Sequence, residues 1–369
     1  MKTVRFLWDA LMRKLDWKKR LLHSESSKIL SVLLLSLLEG SMYFGNICPD
    51  SAGYIRLARF FNGKEESFPP YRMLRPLIPL LASVLNHVVD IATAFGIINI
   101  ALWLTTSYIM FRLSKDLLED NDLAWYASIL FSTSLPLIRY GTAVLTDMAG
   151  FFFVICIFWM TRKYNRTHSI LKYLIIGITV GIGILGREVV FACLPFFVLS
   201  EISGQRTRNQ YLKILLTVLT ALLPPLLWSV AFGLDYLEWF MFGGVERAGG
   251  WAAILDLKEL VSSILLAFTV LCPFLVTGFL EEEDRSKILF YCWSFLSVLA
   301  VLIVWPVKDY RFAFLLSPCF IPLSAKGIDV AAGKLNKKPL FRTVKPSFWK
   351  ILVLASYALY SNYRSLLGG

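Results

Sequence analysis

Apolar runs that read as candidate bilayer spans recur along almost the whole of this chain, at 29–47, 90–111, 123–138, 146–161, 169–186, 211–233, 259–280, 287–305, 311–327 and 347–364, with 189–201 the least secure of the set. A spanning helix needs ~20 mostly apolar residues, and the stretch 189–201 is the shortest of these. Inside hydrocarbon every backbone amide and carbonyl needs a partner within the protein, so such runs fold as helices. Barrel strands show short alternating segments, and the run from Phe151 to Met160 does not alternate. Composition agrees, with 57% hydrophobic residues, 17% charged and a mean hydropathy of +0.62, where a soluble domain is nearer a quarter charged. The expected fold class is an all-α polytopic integral membrane protein with about ten or eleven transmembrane helices.

The net charge of +12 does not point to nucleic acid, because the basic residues cluster between apolar segments instead of forming one patch. Residues 1–28 carry Arg13, Lys14, Lys18, Lys19 and Arg20. They lack a small-residue cleavage site before a long apolar run, and read as a cytoplasmic basic tail rather than a removable signal. Residues 29–364 then form one transmembrane domain, with 48–89 as its first outer loop. The six cysteines at 48, 156, 193, 272, 292 and 319 have no paired metal spacing and read as packing residues. Three scattered histidines, His23, His87 and His168, offer no metal site.

Two amphipathic stretches occupy the first loop. Ser51 to Phe61 places Tyr54, Leu57, Ala58 and Phe61 on one face with Arg56 and Arg59 elsewhere, and Gly63 follows as a stop. Pro76 to Val89 is apolar but short for a span. Both are expected as helices lying at the membrane surface. With the N-terminus inside, the inner side carries roughly twice as many lysines and arginines as the outer, as the positive-inside rule requires. Arg112/Lys115, Arg162/Lys163/Arg166, Arg206/Arg208 and Lys334, Lys337, Lys338, Arg342, Lys345 form the inner clusters.

This topology gathers Asp50, Arg72, Arg75, Arg139, Asp147, Arg187, Glu188, Glu246, Arg247, Lys308, Asp309 and Arg311 on the outer face. Ionisable groups at membrane depth are costly and face a cavity or one another, so the set reads as a polar chamber opening outward. Asp50 heads the first surface helix, where it or Ser51 serves as an N-cap or as a catalytic carboxylate; the two roles are compatible. Asp147 either caps the span beginning near Met148 or helps an acceptor or a cation to bind. Arg187 and Glu188, adjacent in sequence, read as a mutually neutralised pair. Arg311 either snorkels at the interface or holds a phosphate by a bidentate contact.

Two motifs are set aside. Gly181–Gly186 fits the dinucleotide-binding glycine pattern, but it lies inside an apolar helix, where Gly177 and Gly181 read as helix-packing positions. Asn165–Thr167 fits a glycosylation acceptor but falls on the inner side.

The order of these features resembles the GT-C superfamily of membrane glycosyltransferases, in the branch of protein O-mannosyltransferases and lipid A aminoarabinose transferases. The resemblance is carried by the tail, one span, the outer loop from Pro49-Asp50 through Tyr54, the segment Tyr71–Pro79, Asp147 as a second acid, Arg187 after a Gly-rich span, and Arg311 followed by Pro318 and Pro322. It implies a transferase that moves a sugar from a polyprenyl-phosphate donor to an acceptor hydroxyl, with inversion, on the outer side. Asp50 would be the general base, Arg311, Lys308 and Arg187 would meet the donor phosphate, and Asp147, Tyr54, Arg75 and Glu188 would line the substrate. The implied partners are the polyprenyl-phosphate sugar, membrane lipid and an acceptor that is protein, glycan or lipid. The first loop shows no acid pair with metal-ligand spacing, which puts a metal requirement in doubt; no cofactor is assigned, and a divalent metal stays open. A transporter or flippase of a lipid-linked or anionic substrate is the alternative from another class, and a structural membrane subunit is the third.

Overall fold

The computed structural model describes residues 24–367 except 69, 165–168, 204–208, 236–237, 239–244, 246–249, 251–254, 306, 339–340 and 342–343. Arg13 to Arg20, His23, Asn165–Thr167, His168, Arg206, Arg208, Glu246, Arg247 and Arg342 lie outside the described residues.

Among the described residues the chain is helical throughout, without strands. The helices are α1 (Glu25–Met42), α2 (Ser51–Phe61), α3 (Leu77–Leu85), α4 (Ile91–Leu118), α5 (Asn121–Ser132), α6 (Leu135–Tyr140), α7 (Asp147–Lys163), α8 (Ile170–Gly186) and α9 (Cys193–Ser203). They continue with α10 (Gln210–Phe232), α11 (Leu257–Phe268), α12 (Cys272–Leu280), α13 (Arg285–Val304), α14 (Tyr310–Ala313), α15 (Ser317–Asn336) and α16 (Pro346–Leu367). Five helical stretches, Ile91–Leu118, Gln210–Phe232, Leu257–Leu280, Arg285–Val304 and Tyr310–Asn336, are long and apolar enough to cross a membrane by length and composition. Each apolar run read from the sequence is a helix or a pair of helices end to end.

The breaks have local causes. Between α5 and α6 the helix stops at Thr133, and Pro136 enters the first turn of the next helix, where a missing amide costs nothing. Between α11 and α12 the chain passes through Thr269 at φ +32° before Pro273 starts the next helix. The segment 189–201 opens as a 3-10 helix over Glu188–Ala192 and only then becomes α9. The second loop helix is shorter than its apolar run, because Asn86 turns back to donate to the Val89 carbonyl at 2.9 Å.

α4 is the central post, with α1, α3, α5, α7 and α15 packed against it. Small residues set the tightest crossings. A Cβ on Gly181 would lie 2.7 Å from the Ala221 carbonyl of α10, and one on Gly177 2.6 Å from that of Thr217. The packing role expected for these two glycines is therefore what the fold uses. Gly278 of α12 and Gly327 of α15 face each other's helix so closely that a Cβ on either would overlap a carbonyl of the partner. All six cysteines are free. In α2, Tyr54, Leu57 and Ala58 are buried while Arg56 and Arg59 face outward, matching the amphipathic pattern.

Candidate active site

The site begins with an irregular segment, 141–146, that is buried between α6 and α7. Buried backbone polar groups must be paired, and here the pairing comes from neighbours. Asn99 of α4 donates to the Ala143 and Leu145 carbonyls at 2.7 and 3.2 Å. Thr142 donates its hydroxyl to the Tyr43 carbonyl at 2.7 Å, and the Val144 amide donates to Asn46 at 3.0 Å. These bonds tie the segment that follows α1 to the start of α7, which brings Asp50 and Asp147 to one chamber.

Asp50 occupies the N-cap position of α2, but its side chain makes no capping bond. The local turn is closed by Ser51 instead, whose hydroxyl accepts from the Cys48 amide at 2.8 Å. The Asp50 carboxylate is thus released to Arg72, which donates from Nη2 at 2.6 Å, and lies 3.8 Å from Arg311. Gly53 clears the way, since a Cβ there would sit 3.1 Å from Arg72 Nε. Arg72 also lies over the Tyr54 ring at 4.5 Å. Partial burial pushes the Asp50 carboxyl up, but the charge and hydrogen bond of Arg72, with help from Arg311, outweigh it and hold the group below its ordinary value.

Asp147 is also not a cap. It is the first residue of α7, with Thr146 at the N-cap position. Its carboxylate meets Arg187 at 3.0 Å and Arg311 at 3.9 Å, and it is 3% exposed. The expected Arg187–Glu188 pair is corrected: these neighbours take different partners. Glu188 is bound by Arg75 through two guanidinium nitrogens, Nε at 2.5 Å and Nη2 closer still. Arg187 goes to Asp147 and to Thr146 Oγ1 at 2.9 Å. The reason is backbone geometry, since Arg187 is extended at the end of α8 (φ −158°, ψ 119°) while Glu188 opens the 3-10 turn. Their side chains leave the chain toward different elements.

Tyr54 is the hub. Fully buried, its hydroxyl accepts from Arg75 Nη1 at 2.8 Å and from Arg187 Nη1 at 3.3 Å, with Thr146 Oγ1 at 3.2 Å. Burial raises its phenol, while Arg75, Arg187 and Arg72 together bring it below its ordinary value. Arg75 is itself raised, because Glu188 and Tyr54 outweigh its burial.

Arg311 stands apart in its bonding. Asp309, Asp50 and Asp147 surround it at 3.5, 3.8 and 3.9 Å, none in close contact, and its buried Nε has no hydrogen-bond partner. The rings of Phe312 and Tyr140 lie 5.1 and 5.4 Å from its guanidinium carbon. Lys308 is turned the other way. Its ammonium caps the end of α13, donating to the carbonyls of Leu302, Ile303 and Trp305 at 2.5, 2.7 and 2.8 Å.

The structure therefore brings Asp50, Tyr54, Arg75, Asp147, Arg187, Glu188 and Arg311 together and leaves Lys308 at a helix end. Sequence reasoning placed Arg72 and Asp309 in the outer charged set without giving either a role, and it missed Thr146. Gly53 beside Tyr54 was the available signal for Arg72, since a glycine inside an amphipathic helix marks a close approach. Among the described residues no three His, Cys, Asp or Glu side chains gather as metal ligands. Each of the four carboxylates here faces a guanidinium.

Residues 75–228 match the family described as dolichyl-phosphate-mannose-protein mannosyltransferase. Nearly the whole chain superposes on ArnT from Cupriavidus metallidurans bound to undecaprenyl phosphate, with a TM-score of 0.59 at 13% identity, covering 92% of this chain and 69% of that one. The fold is that of ArnT. The same enzyme in its apo state gives a TM-score of 0.58 at 12% identity, covering 93% of this chain and 71% of the other. No curated protein matches the chain in sequence. The mannosyltransferase family match includes Arg75, Asp147, Arg187 and Glu188 and stops short of Asp50, Tyr54 and Arg311 on either side. Five helices of spanning length and apolarity, in a fold like that of ArnT, make this an integral, multi-pass membrane protein.

Proposed function

We propose that the chain is an inverting glycosyltransferase that moves a sugar from a polyprenyl-phosphate donor to an acceptor hydroxyl, on the extracytoplasmic or lumenal side of its membrane. The observation that carries this reading is the Asp50 carboxylate. It is freed from capping, and its side chain is 43% exposed where those of Asp147 and Glu188 are 2% and 8% exposed. Of these three acids it alone is open to a substrate.

In this reading the acceptor oxygen attacks the anomeric carbon from the side opposite the phosphate. The carbon–oxygen bond to phosphate breaks and its electron pair leaves with polyprenyl phosphate, while the hydroxyl proton passes to Asp50. General-base assistance of this kind is worth ~10²–10⁴-fold. The pull of Arg72 keeps Asp50 ionised but weakens it as a base. A donor phosphate that drew Arg72 toward itself would restore basicity when donor is bound. Arg311 is assigned to the leaving phosphate, because its nitrogens lie beyond close contact with every acid around it and an oriented cation stabilises the charge that develops there. Arg187, Arg75, Glu188 and Tyr54 hold the chamber's wall, and Asp147 fixes Arg187. Undecaprenyl phosphate bound to ArnT and the dolichyl-phosphate-mannose family match support a lipid-linked donor.

The test is sugar release from labelled polyprenyl-phosphate sugars by purified protein and by Asp50→Asn. Turnover by the wild type that is lost in the variant, with donor binding retained, supports the reading. Equal turnover removes Asp50 as the base, and absence of turnover and binding with every donor removes the transferase.

A further inference from the structure

At the opposite end of α7 from Asp147, about 24 Å away along a helix of this length, a second polar site lies between the ends of α7, α9 and α13. It is a cavity of about 140 Å³ lined by Thr161, Arg162, Ser200, Ser203, Ser286 and the apolar wall of Leu289, Phe290 and Trp293. Nothing in the transfer reaction uses it.

Its lining holds a guanidinium, four hydroxyls and an indole N–H, and no carboxylate. Part of this inventory is already engaged. Trp293 donates to Ser203 Oγ at 2.8 Å, and Ser203 donates to the Leu199 carbonyl at 2.7 Å. Arg162 Nη1 donates to Ser286 Oγ at 2.7 Å, which leaves the Ser286 proton available. Thr161 is the unexplained member. It is 3% exposed, its hydroxyl has no hydrogen-bond partner, and it lines this cavity. A buried hydroxyl without a partner costs free energy, and one beside an arginine and a second free hydroxyl proton suits an anionic oxygen.

The N-terminus of α13 adds a favourable dipole. Asp284 takes the Ser286 amide at 2.8 Å, so the side chains and not that amide must hold the ligand. Arg162 and Lys163 in the last turn of α7 offset the carbonyl end of that helix. The cavity sits where spanning helices end, with a half-buried Trp293 at its rim, as at a membrane–water interface.

We infer that this cavity binds a phosphate group, carried by an anionic phospholipid of the leaflet opposite the active site, through Arg162, Ser286 and Thr161, with the lipid's glycerol and first methylenes against Leu289, Phe290 and Trp293. The inference is independent of Asp50 and of sugar transfer.

The test uses the full chain in detergent, with native mass spectrometry of retained phosphatidylglycerol against phosphatidylcholine, and inorganic phosphate as a competitor. Wild type should retain one phosphatidylglycerol in preference to phosphatidylcholine. Arg162→Gln should lower that retention about tenfold and Thr161→Val by less, as loss of charge-assisted and neutral hydrogen bonds respectively. Arg162→Lys should recover part of it. Millimolar inorganic phosphate that displaces the lipid, and raises the melting temperature of wild type but not of Arg162→Gln, supports the phosphate site while assigning its source to solution. Equal phosphatidylglycerol retention by wild type, Arg162→Gln and Thr161→Val, all with wild-type melting temperatures and no response to phosphate, overturns the inference.

Discussion

The pairing of Arg75 with Glu188, instead of Arg187 with Glu188, can be tested without any substrate. Both side chains are buried, 10% and 8% exposed, and the contact is bidentate. Glu188→Leu takes the close carboxylate away from the Arg75 guanidinium, which stays hydrogen-bonded to Tyr54, and Arg75→Met leaves a buried carboxylate. Breaking a buried pair on one side costs about 3–5 kcal/mol, whereas replacing both members by apolar groups is often close to neutral. The double variant should therefore be far less destabilised than the sum of the singles, with a coupling of about 3 kcal/mol or more. The parallel cycle of Arg187→Met with Glu188→Leu should give a markedly smaller coupling, because the close carboxylate of Arg187 is Asp147 at 3.0 Å. Equilibrium unfolding in mixed micelles, titrated with sodium dodecyl sulfate and followed by tryptophan fluorescence, reads both cycles. Additive Arg75 and Glu188 singles, or a larger coupling in the Arg187 cycle, would refute the crossed arrangement.

Three further outcomes are expected. Because Arg72 and Arg311 hold Asp50 below its ordinary value, its ion pair stabilises the fold above the unfolded-state pKa and is lost as pH falls through the lower folded one. The acid limb of kcat/KM for sugar transfer should accordingly lie below the usual carboxylate range and move upward in Arg72→Gln; an unmoved limb separates Arg72 from the base. Lys308→Met should destabilise the protein by about 1–3 kcal/mol, as three carbonyls lose their donor, with donor KM unchanged; a raised KM would return Lys308 to the donor site. Gly278→Ala should destabilise by about 1–3 kcal/mol or more by thermal unfolding, since the added methyl overlaps the Leu323 carbonyl. Gly333→Ala, where a Cβ meets nothing within 4 Å, should be neutral or slightly stabilising.

The helices were legible because hydrocarbon leaves the backbone so few choices. The apolar runs map onto them with small shifts at the ends, and the amphipathic pattern of Ser51–Phe61 coincides with α2 to the residue. What the pattern does not carry is the interruption of a run, as at Thr133 or Thr269, where proline and local turn geometry decide. Most of the charged residues of the chamber were legible for the same reason as the helices, since ionisable residues in apolar surroundings are conspicuous, although Lys308 was grouped with them and faces elsewhere. The pairings were not. Adjacency suggested Arg187 with Glu188, and capping statistics suggested Asp50 and Asp147 as caps. Each was decided by contacts from far along the chain: Arg75 for Glu188, Ser51 freeing Asp50 for Arg72, and Arg187 for Asp147. Lys308 shows the converse, a cation in the right neighbourhood of the sequence whose ammonium is engaged by three carbonyls at a helix end.

The crossed partners of Arg187 and Glu188 have a mechanical consequence. A single peptide unit between them is riveted on one side to α7 through Asp147 and on the other to the first loop through Arg75. Sliding either body relative to the other would have to twist that one planar unit or tear a charged contact out of a dry environment. The loop that presents Asp50 is thus set in place before any ligand arrives. Adaptation to different substrates is left to the parts outside the rivet, the loosely paired Arg311 above all.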